Sequence, residues 1–285
     1  MDNPRARQAR FNAESFDQWA GFAGHRERVS ALLAEGGRGR LCVLGAGNAN
    51  DLDLPRLLAS YREVHLVDLD AAALERGARQ QGVAGHPGFF RHGGMDVTGM
   101  VDAMARWSPV GEVAPAELAA LVDWPRRRVG LALPMPFDAV ASTCLLSQVV
   151  GNARHALGEA HPQGPAVVRA IRLGHLRLLA GLVRPGGRFV LISDVASSDW
   201  APGLAEAAES DLAGLVPRIA REHGLIRGVD PAEILDLLRS DPALSTRLDR
   251  VALLPPWRWR LHDRTYLVCA FEARGAIGPA QPRPT

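Results

Sequence analysis

Leu41-Cys42-Val43-Leu44 runs directly into Gly45-Ala46-Gly47, and Asn48, Asn50, Asp51 and Asp53 follow before Pro55 opens a helix. An apolar strand, a glycine turn and a helix start make the first unit of a nucleotide-binding α/β fold. Residues without Cβ let backbone approach a ligand and take positive φ cheaply, and the helix N-terminus offers free amides. Asp68 stands at the end of a second predicted strand, Val64–Val67, where ligands of open α/β sheets collect. Asp96 follows a third strand at Phe89–His92, and Ser142 ends a fourth at Phe137–Ser142, with Thr143 next. A carboxylate at such a position accepts hydrogen bonds from hydroxyl or amino groups of a ligand.

The elements that must position these residues follow from periodicity. Residues 1–14 read as a polar, frayed end, and Phe16, Trp19, Phe22, Val29, Leu32 and Leu33 suggest one or two amphipathic helices packed on the core. Asp70 reads as the N-cap of an alanine-rich helix over Ala71–Gln80. Residues 99–124 have helical spacing, Val167–Leu182 is a strong helix, and Arg184-Pro185-Gly186-Gly187 is a turn before the strand Arg188–Ser193. Residues 199–250 read as a helical insertion. Trp257–Leu261 and Thr265–Ala273 form a hairpin whose two tryptophans share one face. The sum is an α/β, Rossmann-like, doubly wound and mostly parallel seven-stranded sheet with a C-terminal antiparallel hairpin. The expected division is a helical extension over 1–39 as a candidate lid, a main domain over 40–274, and a disordered tail over 275–285.

Composition narrows the class. The chain has 285 residues, 47% of them hydrophobic, and a formal net charge of +2, too little to support nucleic acid as partner. All 33 basic residues are arginine, and Arg126-Arg127-Arg128 reads as a solvated loop. No apolar run approaches the ~20 residues of a membrane span, and no leader is recognisable, so the expected location is cytoplasmic. Cys42, Cys144 and Cys269 sit in apolar runs as buried, reduced thiols, with no metal-ligand spacing. His155, His161 and His262 read as surface residues of loops.

With these motifs in order, the sequence resembles the class I S-adenosylmethionine-dependent methyltransferases. The resemblance covers about residues 40–195 and 255–273. It rests on Gly45-Ala46-Gly47, on Asp68 within Val67-Asp68-Leu69-Asp70, on Asp96, on Phe137-Asp138-Ala139-Val140, on the turn Leu182–Gly187 and on the final hairpin. It implies S-adenosyl-L-methionine as cofactor, bound by Gly45, Ala46, Gly47, Asp51, Asp68, Leu69, Asp96, Val97, Ser142 and Thr143. Asp68 would take the ribose hydroxyls, Leu69 the adenine face and Asp96 the adenine amino group. Ser142 and Thr143 would line the space between sulfonium and acceptor, with Gln148 a substrate contact. Many relatives carry an acid where Val43 stands; Asp51 is the candidate to replace it at the cofactor's amino group. The expected reaction moves a methyl group to an oxygen or nitrogen nucleophile, of a small molecule by preference, with no assigned general base or metal.

Two other classes compete. An NAD(P)-dependent oxidoreductase wants a third glycine where Asn50 stands, and a pyrophosphate would meet Asp51 and Asp53 at close range. A non-catalytic protein that binds S-adenosylmethionine or acts as a scaffold would carry the same motifs. Methyl transfer needs no obligatory side chain whose absence would reveal it.

Overall fold

The computed structural model describes residues 3–277. Its first element corrects the reading of 1–14 as frayed. Asn3 accepts from the Arg5 N–H and Pro4 presets φ at the first position, giving α1, Pro4–Glu14. A 3-10 turn, Trp19–Phe22, leads into α2, Ala23–Ala34. Phe16 is 46% exposed, so it is no core contact, and the Trp19 ring instead lies under the Arg26 guanidinium at 3.5 Å.

The alternating part follows as β1 Arg40–Leu44, α3 Leu54–Ser60, β2 Glu63–Asp68, α4 Ala71–Gln80 and β3 Phe89–Gly93. Asp53 and Asp70 cap α3 and α4 by accepting from the Arg56 and Ala73 amides, each at 3.0 Å. Residues 99–124 are not one helix. Pro109 and Gly111 interrupt the pattern, leaving α5, Val101–Met104, and α6, Pro115–Trp124. The three arginines lie in a π-helical turn, Pro125–Val129, rather than a loop, and α7, Gly130–Ala132, ends that stretch. Then come β4 Phe137–Thr143, α8 Leu145–Leu157, α9 Gly164–Leu182 and β5 Val183–Ser197. The turn at 184–187 persists as an irregularity in β5, where pairing jumps from Phe137↔Val183 to Ala139↔Arg188.

The expected insertion at 199–250 is helical only in α10 Leu212–Glu222, α11 Pro231–Ser240 and the short α12 Pro242–Ser245. It ends in a strand, β6 Leu248–Leu253, ahead of β7 Trp257–Leu261 and β8 Arg264–Gly275. Eight strands therefore replace the expected seven. The difference is small, because β6 and β7 lie along one edge of β8, with Leu253 opposite Phe271 and Trp257 opposite Val268. Pro255 and Pro256 between them lack the N–H a continuous ladder needs. Of the tail expected from 275, Gly275 closes β8, and residues 278–285 lie outside the described residues.

The sheet order is β3-β2-β1-β4-β5-β8-β6, with β7 also on β8. β1 to β5 are mutually parallel and β8 runs against β5. Alternation along the strands splits the core. Cys42, Leu44, Val140, Phe189 and Leu191 face α8 and α9, while Leu41, Val43, Ala139, Ala141 and Val190 face α2 and α3. The order reverses between β1 and β4, which opens a crevice at their C-terminal ends. Phe189 is fully buried at the centre of the first face, so Phe189→Ala should cost about 3–5 kcal/mol, read as a lower denaturant midpoint with an unchanged slope.

Candidate functional site

The turn after β1 is held against β2: the Gly45 and Ala46 amides donate to the Val67 carbonyl at 2.8 and 3.3 Å. Gly45 has φ +76°, and a Cβ on it would stand 2.7 Å from Leu145 of α8, so turn and helix meet without room for a side chain. The Gly47 amide donates to Asp68 Oδ2 at 2.8 Å, and the Asp70 amide donates to Asp68 Oδ1 at 2.8 Å. Burial raises the Asp68 pKa, and these two amides offset the shift only in part. The Asn12 side chain also lowers it, and the carboxylate lone pairs that these donors do not use are what ribose hydroxyls would take.

Two hollows meet at Gly45. The first is a narrow cleft of about 40 Å³ between the ends of β2 and β3 and helix α8. Asp68, Leu69, Asp96 and Val97 line it, with Met95, Leu145 and Val149 adding apolar surface. Asp96 is also structural: Oδ1 accepts from the Thr98 amide and hydroxyl at 2.9 and 2.7 Å, and Oδ2 from the Val101 amide at 2.7 Å. The Asn152 Oδ1 on this cleft is buried without a partner.

The second hollow is a cavity of about 350 Å³. Ala46, Gly47, Asp51, Thr143 and Gln148 line it, and so do His25, Ser147, Asp194, Trp259 and Tyr266. Asp51 is buried, and burial pushes its carboxyl up to about 6; the neighbouring Thr143 hydroxyl, its own backbone amide and the Arg26 charge pull it back only in part. The Thr143 hydroxyl lies beside it but makes no hydrogen bond of normal geometry, so it stands buried and unpartnered. Asp194, on β5 two residues beyond its pairing with β4, accepts from the Ser147 hydroxyl at 2.6 Å, and burial raises its pKa too. Among the described residues neither Asp51 nor Asp194 has a salt-bridge partner, and no arginine lines the cavity.

His25 Nδ1 accepts from the Trp257 indole N–H at 3.1 Å, and its ring stacks on Trp259 at 4.5 Å. Burial lowers its pKa to about 3, so the ring is neutral and carries its proton on Nε2. Cys144, which starts α8, holds φ +47°, unusual for a residue with Cβ; it lines the same cavity.

α1 roofs both hollows with a polar face. Pro4, Gln8 and Asn12 are its buried residues, four apart in sequence. Gln8 donates to Gln148 at 3.0 Å and Asn12 to Asp70 at 3.2 Å. In return Asn48 donates to the Asn12 carbonyl at 2.5 Å and Asn50 to the Ser15 carbonyl at 2.6 Å. Arg5 reaches Asp102 of α5 at 2.9 Å across the outer rim.

Of the residues singled out by sequence, ten stand on these hollows: Gly45, Ala46, Gly47, Asp51, Asp68, Leu69, Asp96, Val97, Thr143 and Gln148. Ser142 does not. Strand alternation turns it to α9, where its Oγ lies 2.9 Å from His175 Nε2. The reading missed α1, His25, Ser147, Asp194, Trp259 and Tyr266. Asn3-Pro4 was a legible helix start, and Asp194 follows the predicted strand Arg188–Ser193 as Asp68 follows Val64–Val67; nothing in the sequence marked His25.

No protein-family model matches the chain, and no curated protein matches it. It is similar to the N-methyltransferase NodS from Bradyrhizobium japonicum in complex with S-adenosyl-L-homocysteine, at 11% identity over 97% of this chain and 100% of that one, TM-score 0.44. It is also similar to magnesium protoporphyrin IX methyltransferase (ChlM) from Synechocystis with bound S-adenosylhomocysteine, at 15% identity over 96% and 100%, TM-score 0.48. A putative methyltransferase from Bacillus halodurans follows, at 10% identity over 87% and 98%, TM-score 0.43. The strand order with its reversal between β1 and β4, and the reversed β8 beside β5, give the chain the fold of the class I S-adenosylmethionine-dependent methyltransferases.

Proposed function

We propose that the chain transfers a methyl group from S-adenosyl-L-methionine to a nucleophilic oxygen or nitrogen of a small molecule. The observation that carries this reading is a pair of hollows that meet at Gly45, of which the larger holds buried carboxylates without a basic partner. A dinucleotide would bring a doubly negative pyrophosphate to the Gly45–Gly47 turn, next to Asp51. A ligand with an ammonium and a sulfonium supplies the charge that Asp51 lacks.

The residues fit the parts of such a cofactor. Asp68 keeps lone pairs for the ribose hydroxyls, and Leu69, Met95 and Val97 offer apolar surface for adenine. Asp51 and the unpartnered Thr143 hydroxyl suit the methionine ammonium and carboxylate. When bound, the cofactor supplies an electrophilic methyl group on a sulfonium. The chain's part is to align the acceptor with it, to exclude water beneath α1, and to provide for the acceptor's proton. α1 would act as a cover over both hollows, resting on hydrogen bonds that can be broken and remade. Acceptors of the size of a metabolite suit a cavity of about 350 Å³. The net charge of +2 lends no support to nucleic acid. The described cysteines are all buried and unpaired, which supports a reducing compartment such as the cytoplasm.

Calorimetry should show S-adenosylhomocysteine binding to the protein, and NAD(H) and NADP(H) not binding; the opposite ranking would overturn the reading. The affinity should fall by up to about tenfold per pH unit as pH drops below about 6, because Asp51 must be ionised to hold the ammonium. In Asp51→Asn that pH dependence should be gone.

The same residue governs stability without ligand. Burial favours the neutral carboxyl, so its contribution is fully present below the ordinary aspartate range and is lost as pH rises through about 6. A shift from 3.8 to about 6 corresponds to roughly 3 kcal/mol. Asp51→Asn should therefore stabilise the ligand-free protein at pH 8 by up to that amount, and the gain should shrink as the pH is lowered toward 4. Urea midpoints at both ends of the range test this, and a constant difference would refute it.

A further inference from the structure

The far wall of the larger cavity is built from elements outside the glycine turn. Asp194 comes from β5, Ser147 from α8, Trp259 from β7 and Tyr266 from β8. Trp259 and Tyr266 pack with ring centroids 5.1 Å apart, and Phe22 closes on Trp259 at 4.8 Å. His25 stacks on one face of Trp259, so the wall offers an organic cation the remaining aromatic surface of Trp259 and Tyr266, beside a carboxylate that has no salt bridge among the described residues; ring quadrupole and carboxylate attract the same charge. The hydroxyl of Thr143 on this cavity, 2% exposed, lies beside Asp51 without a hydrogen bond of normal geometry. The Thr143 oxygen can accept from a bound N–H donor.

The cavity also lacks a strong base. His25 has its only free lone pair engaged by Trp257, and burial holds it neutral, so it can donate from Nε2 but not take a proton there. Burial likewise keeps the Cys144 thiol protonated. An alcohol or phenol acceptor would have to give up its proton to one of these groups. An amine needs less help, because a carboxylate whose proton affinity is raised by burial can take the proton of an ammonium.

Resting on the methyltransferase reading, the geometry points to a protonated aliphatic amine as the acceptor group, held by Asp194 and Ser147 against Trp259 and Tyr266, so that nitrogen receives the methyl group. Asp194 takes one proton from the ammonium and leaves a neutral amine. The nitrogen lone pair forms the new bond to the methyl carbon as the carbon–sulfur bond breaks, its electron pair staying on sulfur. The products are S-adenosylhomocysteine and an N-methylammonium, and the Asp194 proton leaves to water.

The test uses three probes of one shape: 2-phenylethylamine, 2-phenylethanol and 3-phenylpropanoate. Each is titrated into the full-length protein by NMR, with and without saturating S-adenosylhomocysteine. The amine should bind about tenfold or more tighter than the alcohol, the carboxylate weakest of all, and Asp194→Asn should remove the amine's advantage. Equal binding of amine and alcohol, no amine binding at millimolar concentration, or an advantage that survives in a folded Asp194→Asn variant would each overturn the proposal. The wild-type ranking decides if that variant does not fold. S-adenosylhomocysteine binding is measured first on the same sample. Its absence would sink the methyltransferase reading, whereas its presence with a failed amine ranking sinks only the acceptor assignment.

Discussion

A carboxylate removed from water without a counter-charge destabilises a folded chain, and proteins ordinarily answer by pairing it or leaving it at the surface. This chain has abundant means to do so. Its 33 basic residues are all arginine, and Arg188 shows the usual solution, with its guanidinium on Glu272 at 2.7 and 3.2 Å between β5 and β8. At the C-terminal edge of the sheet the solution is withheld. Asp51 and Asp194 share a cavity that no arginine lines among the described residues, and both are pushed toward their neutral forms. The charge of the proposed ligands is what such a cavity lacks, so the cost to the empty fold is the counterpart of its selectivity.

The joint between the two hollows depends on one missing side chain. The reversal of strand order between β1 and β4 sets the turn at Gly45 against the start of α8. Any Cβ there would strike Leu145, pushing apart the cleft wall and the cavity wall together. A donor held across this joint would lay its nucleoside on one side and its amino-acid part on the other. Its reactive centre would then lie beside β4, the strand whose Thr143 faces the larger cavity.

Much of this was legible in the residues. The Leu41–Leu44 run with its glycines, Asp68 at the end of β2, and the caps Asp53 and Asp70 are local signals, fixed by neighbours within a few positions. What escaped depends on partners distant in sequence. α1 looked frayed because its buried face is Pro4, Gln8 and Asn12 rather than an apolar stripe; a helix that covers a polar hollow inverts the usual pattern. Ser142 and Thr143 were read as a pair, but neighbours in a strand face opposite sides, and only His175 on α9 shows which side Ser142 takes. The strand over Leu248–Leu253 was hidden in a helical stretch because its side chains are mostly exposed at the sheet edge, without the alternation that marks a half-buried strand.

Asn50 joins these threads. It stands where a dinucleotide loop wants a third glycine, and its side chain is buried, with the amide donating to the Ser15 carbonyl just beyond α1. Asn48 does the same one turn earlier, at Asn12. The space that a glycine would leave for helix–strand packing around a pyrophosphate is filled here by anchors for the roof. A glycine at position 50 would therefore release α1 before it admitted a second phosphate. The residue that departs from the dinucleotide pattern is thus the same one that anchors the roof over the loop.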